Sequence, residues 1–134
     1  MLLPSEIEAK SLIPAVRAIL AKKLIREFSL KEEDVAKVLG ITQAAVSNYV
    51  RGTRGDIDLI LKLESVNEVM RMVDDIAKDL STNKAYTPST LAKFVGLCNY
   101  MRYTLIICDV HHTMEHNIDE QICEQCRGTL IREH

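Results

Sequence analysis

Two short helix patterns, at residues 29–39 and 43–51, are separated by only three residues. Gly40 ends the first pattern and accepts the positive φ that a tight turn between helices often requires. Thr42 is a good N-cap for the second helix, and Gly52 ends that helix. Two helices joined by so short a turn must bury side chains against each other, which leaves few folds open to this chain.

The start of the first helix is marked by Ser29 and Glu32, which form an S-x-x-E capping box. We therefore expect this helix to begin at Ser29 and to run through Leu39. The small side chain of Ala36 fits a position that the second helix crosses closely. The side chains expected to be buried between the two helices are Val35, Leu39, Ile41, Val46 and Tyr49.

Residues 32–51 resemble the DNA-binding helix-turn-helix of the lambda-repressor/Cro (XRE-like) regulators. The resemblance implies that the helix opened by Thr42 enters the major groove of double-stranded DNA and meets base edges with its N-terminal residues. The residues expected to contact bases are Gln43, Ala44, Ser47 and Asn48. The residues expected to hold phosphates are Thr42, Lys37, Arg51 and Arg54.

The side chains on this outward face have the chemistry for reading bases. Gln43 can make paired hydrogen bonds to adenine, Ala44 can touch a thymine methyl group, and Ser47 can serve either base type. Phosphate contacts would set the register of the protein without reading sequence. The alternative is an αα-hairpin within an unrelated helical domain.

Charge and hydropathy restrict the class of protein. The net charge is −2, with nine Lys/Arg against seven Asp/Glu in residues 1–56 and eight against twelve in residues 57–134. We therefore expect modest, salt-dependent non-specific DNA affinity, which a dimer would reinforce by doubling the contacts. No run of about eighteen apolar residues and no signal-peptide pattern is present, which predicts a cytoplasmic protein.

Residues 5–28 form the first strong helical pattern, with apolar side chains at intervals of three and four. Pro14 is expected in the first turn of this helix, with Ser11 as its cap. Its polar face is basic and is suited either to a phosphate backbone or to solvent. That face carries Arg17, Lys22, Lys23 and Arg26.

Residues 57–80 carry apolar side chains spaced 4, 3, 4, 3, 4 and 3, namely Leu59, Leu63, Val66, Met70, Val73, Ala77 and Leu80. Since no glycine or proline interrupts them, the spacing predicts one long connecting helix of about 36 Å with a heptad seam. Such a helix is suited to homodimerisation. The alternative is that the seam packs within its own chain.

The remainder divides at a loop expected over residues 81–86, after which Thr87 and Pro88 start another helix as cap and first helical residue. The apolar side of that helix is expected to carry Leu91, Phe94, Val95, Cys98, Met101 and Leu105. We therefore expect an all-α protein in three parts: a helix-turn-helix domain (1–56), a long linker or dimerisation helix (57–80) and a small helical metal-binding segment (87–134).

All four cysteines lie in the last 37 residues. Because structural disulfides are disfavoured in a chain without an export signal, clustered cysteines predict a metal site. Cys123 and Cys126 form a C-x-x-C pair that can wrap a metal in a tight turn. Adding Cys98 and Cys108 would give an iron–sulfur cluster, which the apolar stretch before Cys108 slightly favours. If His111 replaces Cys98, the four ligands form a tetrahedral Zn²⁺ site.

Taken together, these patterns predict a homodimeric, sequence-specific DNA-binding regulator whose single metal centre senses redox or iron state or stabilises the fold. The layout of a helix-turn-helix followed by a cysteine-bearing C-terminal segment also resembles, more loosely than the motif itself, archaeal-type regulators. The alternative is a protein-interaction adaptor with a structural zinc site. The C-x-x-C pair is suited to thiol–disulfide exchange, but no βαβ pattern surrounds it, so we expect no enzyme.

Overall fold

The computed structural model describes residues 1–53 and 55–132, with only the backbone of Arg132. Its regular elements are helical, and no strand occurs within these ranges, as the all-α prediction requires. Helix α1 covers residues 4–26 as two α-helical segments, Pro4–Ile7 and Ile13–Arg26, joined by the π-helical segment Glu8–Leu12. The other helices are α2 (Glu32–Leu39), α3 (Gln43–Arg51), α4 (Ile57–Glu64), α5 (Asn67–Asn83), α6 (Pro88–Tyr103), α7 (Ile106–Met114) and α8 (Glu120–Arg132).

Helix α1 begins earlier than the sequence pattern predicts and continues past Pro14. Because proline lacks an N–H group, it interrupts the usual helical hydrogen bonding. The Ile13 N–H instead donates to the Glu8 carbonyl oxygen, five residues back. Ser11 lies inside this continuous helix, so its prediction as an N-cap was wrong.

The predicted capping box at the start of α2 is also wrong. Helix α2 begins at Glu32, and its N-cap is Lys31, which makes no side-chain cap hydrogen bond. Ser29 has φ +57° and belongs to the end of α1, where the Leu30 N–H donates to the Leu24 carbonyl oxygen over 3.0 Å. A residue in this left-handed conformation does not have the extended backbone of an N-cap.

The single long helix expected over residues 57–80 is two helices. Helix α4 ends at Glu64, and α5 begins at Asn67, after Val66 has taken an extended conformation with ψ 106°. At the break, the Ser65 hydroxyl donates to the Lys62 carbonyl oxygen over 2.6 Å. Such a local side-chain bond offers the backbone an alternative to the helical ladder.

The apolar seam of this stretch is buried within its own chain. Leu63, Val73, Ala77 and Leu80 have no exposed surface, and Leu59 is 6% exposed. Helix α5 packs against α1 and α6, and a continuous cluster of buried side chains extends from Ile7 to Leu130. The intramolecular alternative therefore accounts for this seam.

Helix α6 is capped as the sequence predicts, because the Thr87 hydroxyl accepts from the Thr90 N–H over 3.2 Å. Its buried side carries Leu97 and Met101, whereas Leu91 and Val95, expected to be inside, are about half exposed. None of the helices in the described part of the chain is long and apolar enough to span a membrane.

Candidate nucleic-acid interface

The turn between α2 and α3 has the geometry that its sequence predicts. Gly40 has φ +66°, and the Ile41 N–H donates to the Ala36 carbonyl oxygen over 3.1 Å. The Thr42 hydroxyl accepts from the Ala45 N–H over 3.0 Å and caps α3. Helix α3 ends at Gly52, which has φ +74°. Local chemistry therefore fixes both ends of α3.

The inner side of α3 is held by the core. Val46 is fully buried, Tyr49 is 6% exposed, and Val35 beneath them on α2 has no exposed surface. Ala36 is 9% exposed, in keeping with a position that α3 crosses closely, and Ile41 is half-buried against the same core. Because α3 packs on both α1 and α2, its outward face has one fixed direction.

The four residues expected to contact bases differ in how they are placed. Gln43 and Ala44, in the first turn of α3, are exposed, whereas Ser47 is partly buried. Asn48 is also partly buried, and its Oδ1 accepts from Arg51 Nη2 over 3.3 Å. A paired contact with adenine would therefore require Oδ1 to be shared with or released by Arg51, whereas Nδ2 can donate to a base without breaking this bond. The base contacts stay predictions.

Three of the four residues expected to hold phosphates, Lys37, Thr42 and Arg51, lie in the described part of the chain. Lys37 and Arg51 are exposed, and Arg54 lies outside the described residues. The Thr42 oxygen accepts the capping bond, which leaves the hydroxyl proton as a donor suited to a phosphate oxygen. These contacts also stay predictions.

A further cation, Arg17 of α1, borders the same turn. Its side chain lines one surface depression with Ile41 and Thr42, and a second one with Lys37 and Gly40. The sequence places Arg17 on the polar face of α1, but the spacing of residues within one helix gives no information about which turn lies opposite.

Two other basic residues of α1, Lys23 and Arg26, are used differently. Lys23 Nζ lies 2.6 Å from Asp74 Oδ1 and 3.3 Å from Glu27 Oε2, and these carboxylates raise its pKa against the effect of burial. Arg26 donates from Nη2 to the Val50 carbonyl oxygen over 3.0 Å. Both side chains therefore make contacts within the protein.

The cysteines lie on three helices. Cys98 is half-buried on α6, Cys108 is buried on α7, and Cys123 and Cys126 are half-buried on α8. The C-x-x-C pair therefore lies within a helix, and the tight turn expected around it was wrong. Helix α8 extends without a break from Glu120 to Arg132 and includes Gly128.

Cys98 has different neighbours from the other three thiols. Burial raises the pKa of Cys98 to about 11, and the charges that act on it are those of Glu8 and Arg102. Burial also raises the pKa of Cys108, against the effect of a hydrogen bond from Arg127. The charges of Cys126 and Cys123 raise the Cys108 pKa further.

The two neighbouring histidines of α7 also differ in their surroundings. His111 is buried, and its Nε2 lies 3.5 Å from Glu115 Oε1 without a hydrogen bond. His112 is exposed, and its Nε2 lies 3.6 Å from Cys123 Sγ. Within the described ranges, no three His, Cys, Asp or Glu side chains converge to hold a metal ion. Neither predicted ligand set is therefore assembled, and both stay predictions.

Residues 20–69 match the model of a protein family described as helix-turn-helix. The matched region starts within α1, includes α2, α3 and α4, and ends at the start of α5. Comparison with curated proteins finds no match, and comparison with solved structures finds none either. The family match and the helical geometry agree that the N-terminal part of this chain is a helix-turn-helix domain.

Proposed function

We propose that the protein is a sequence-specific, double-stranded-DNA-binding transcription regulator that reads the major groove with α3. One observation carries the proposal: α3 is capped at both ends and buried along one side, while Gln43 and Ala44 in its first turn are exposed. The N-terminal residues of such a helix are those that meet base edges. The helix-turn-helix family match supports the same function.

Phosphate contacts on either side of α3 are the second part of the proposal. Arg17 and Lys37 lie beside the turn before α3, and Arg51 lies at its far end. Cations at both ends would hold the helix in register, and they make binding salt-dependent because each phosphate contact releases counterions. Because the chain has a net charge of −2, its non-specific DNA affinity should be modest.

The dimer is the third part of the proposal, and we place its interface on the outer face of α4. Ile57 and Leu61 lie one helical turn apart on α4, soon after α3, and are 58% and 59% exposed. An isologous contact through this face would bring two copies of α3 to one side of the dimer. Paired half-sites about 34 Å apart would then be read from one face of the duplex.

The proposal is tested by selecting binding sites from randomised duplexes at low salt with the full chain. We expect enrichment of a palindromic sequence and binding that weakens steeply as salt rises. A confirmed dimer that binds no duplex at low salt would contradict the proposal. It would favour the adaptor, for which the net charge of −2 is the supporting observation.

The dimer interface is tested by sedimentation of Leu61→Glu beside the matched control Leu91→Glu. Both side chains are exposed on helices, at 59% and 53%, so each variant should fold. We expect Leu61→Glu to sediment as a monomer with weakened binding to a palindromic site, and Leu91→Glu to remain dimeric. If Leu91→Glu separates the dimer and Leu61→Glu does not, the interface lies elsewhere.

The protein is proposed to work in the cytoplasm or nucleoid as a DNA-binding protein, and no catalytic activity is proposed for it. The metal centre completes the proposal. The charges that act on Cys98 are those of Glu8 and Arg102, whereas those that act on Cys108 include Cys126 and Cys123, so the four-cysteine iron–sulfur ligand set has less support than zinc.

A further inference from the structure

Helices α7 and α8 bring three thiols and one imidazole to the same region. Cys108 and His112 are four residues apart on α7, and Cys123 and Cys126 are three apart on α8. Residues at these spacings lie on one face of a helix. The two faces meet where His112 Nε2 lies 3.6 Å from Cys123 Sγ.

This separation matches that of two ligands on one zinc ion. With a Zn–S bond of about 2.3 Å, a Zn–N bond of about 2.0–2.1 Å and tetrahedral angles, the sulfur and nitrogen atoms are about 3.5 Å apart. A thiol–imidazole hydrogen bond also fits this distance. The positions of Cys108 and Cys126 therefore decide between a hydrogen bond and a zinc site.

The remaining thiols lie on the same helix faces as this pair, Cys108 with His112 on α7 and Cys126 with Cys123 on α8. Cys108 is buried at 8% exposure, and Cys126 packs against the same apolar cluster. Arg127 is close enough to Cys108 and Cys126 for its charge to lower the pKa of both thiols against the effect of burial. A positive group therefore already lies among the thiols.

We propose that Cys108, His112, Cys123 and Cys126 form a tetrahedral zinc site, which closes when their side chains rotate toward the metal. In the described arrangement, no three of them yet converge. Closing the site requires the Cys108 and Cys126 thiols to turn toward the metal, while His112 and Cys123 keep their present separation. Three thiolates and one imidazole are a donor set typical of structural zinc.

The proposal changes the histidine that the sequence pattern favours. His111 faces Glu115, whose carboxylate also accepts from the Leu2 N–H over 2.9 Å, so His111 belongs to the contact between α7 and the N-terminus. Neighbouring residues on a helix point about 100° apart. His112 is therefore the residue that faces α8.

The site would fasten α8 to the rest of the protein. Helix α8 has one buried apolar side chain, Leu130, and exposes Ile122 and Ile131. Since metal binding to such a helix adds directly to the free energy of folding, zinc should order it. This role does not depend on DNA binding, so the proposal and the proposed function can fail separately.

The test is a Co²⁺ titration of the reduced, metal-free full chain, followed by displacement with Zn²⁺. We expect one metal per chain, a tetrahedral cobalt spectrum with thiolate charge-transfer bands, and release of protons as the thiols ionise. His112→Ala and Cys123→Ser should each weaken Zn²⁺ binding by more than about tenfold, since even removal of a residue that supports a ligand costs that much.

Three matched variants serve as controls. Cys98→Ser removes a thiol on α6, His116→Ala removes a second exposed histidine, and His111→Ala removes the imidazole next to His112. All three should bind Zn²⁺ as the unmodified chain does. The proposal is overturned if His112→Ala binds normally, if Cys98→Ser or His111→Ala loses the metal, or if no stoichiometric metal binds. A brown, sulfide-containing protein that requires Cys98 also overturns it.

Discussion

Arg26, in the last turn of α1, donates from Nη2 to the carbonyl oxygen of Val50 over 3.0 Å. Val50 lies in the last turn of α3, where carbonyl oxygens have no partner within the helix. The bond therefore satisfies one of these oxygens and ties the end of α3 to α1. Through this contact, the first helix of the chain helps to set the direction in which α3 presents its outward face.

Replacing Arg26 with alanine should loosen the end of α3. Because the bond is made at an exposed site, we expect a loss of only about 0.5–1.5 kcal/mol in the free energy of unfolding, measured by urea denaturation. Lys78→Ala, which removes an exposed positive charge from α5, is the control and should have almost no effect. Equal losses in both variants would mean that charge, rather than the bond to Val50, is responsible.

The capping bond of Thr42 should stabilise the protein through the hydroxyl oxygen. Alanine and serine variants distinguish this oxygen from the methyl group of the side chain. Thr42→Ala removes the acceptor of the Ala45 N–H and should cost about 1 kcal/mol. Thr42→Ser keeps the oxygen and should retain most of the stability in the same denaturation experiment. If serine is as destabilising as alanine, the cap is not what Thr42 provides.

The burial of the heptad-spaced seam within the chain gives a third prediction. Leu80→Ala should lower the free energy of unfolding by about 2–5 kcal/mol because Leu80 is fully enclosed. Leu91→Ala, at a position that is 53% exposed, should change it little. The loss at Leu80 should also be independent of protein concentration. A loss that disappears as concentration rises would instead place the seam between two chains.

Acid should weaken the contact between α5 and α6. Lys93 Nζ donates to Asp79 Oδ1 over 2.9 Å and lowers the pKa of Asp79 below its usual 3.8, with smaller contributions from Ser89 and Thr90. A carboxyl group whose pKa is lower in the folded state stabilises the protein above the unfolded pKa of about 3.9, and this stability is lost as the pH falls through the folded value.

Unfolding measured from pH 7 down to pH 3 tests this contact in the variant Asp79→Asn. The stability difference between the unmodified chain and Asp79→Asn should be greatest near neutral pH and should shrink below about pH 4. A difference that stays constant across this range would show that Asp79 does not contribute through its charge.

Much of the DNA-binding region could be predicted from sequence because its signals are local. The positive φ of Gly40, the cap at Thr42 and the end of α3 at Gly52 each depend on a few neighbouring residues. The start of α2 was less predictable. Ser29 has a side chain suited to capping, but its conformation is set by the end of α1.

The rest depends on contacts between distant parts of the chain. The break at Ser65 leaves no mark on the apolar spacing, because α4 and α5 bury their side chains in the same core. Periodicity also cannot decide between His111 and His112, since that depends on where the connection after α7 places α8. The surroundings of Cys98 could not be predicted for the same reason, because they depend on the packing of α6 against α5 and on the ion pair of Arg102 with Glu8 of α1.

The outward face of α3 is proposed to read base sequence. The most direct test compares the binding sites selected by the unmodified chain with those selected by the double variant Gln43→Ala/Ser47→Ala. Each base contact is worth about 1–3 kcal/mol of discrimination, so the double variant should bind duplexes at low salt without enriching the preferred site. Enrichment of the same site to the same degree by the double variant would contradict the assignment of α3 as the recognition helix.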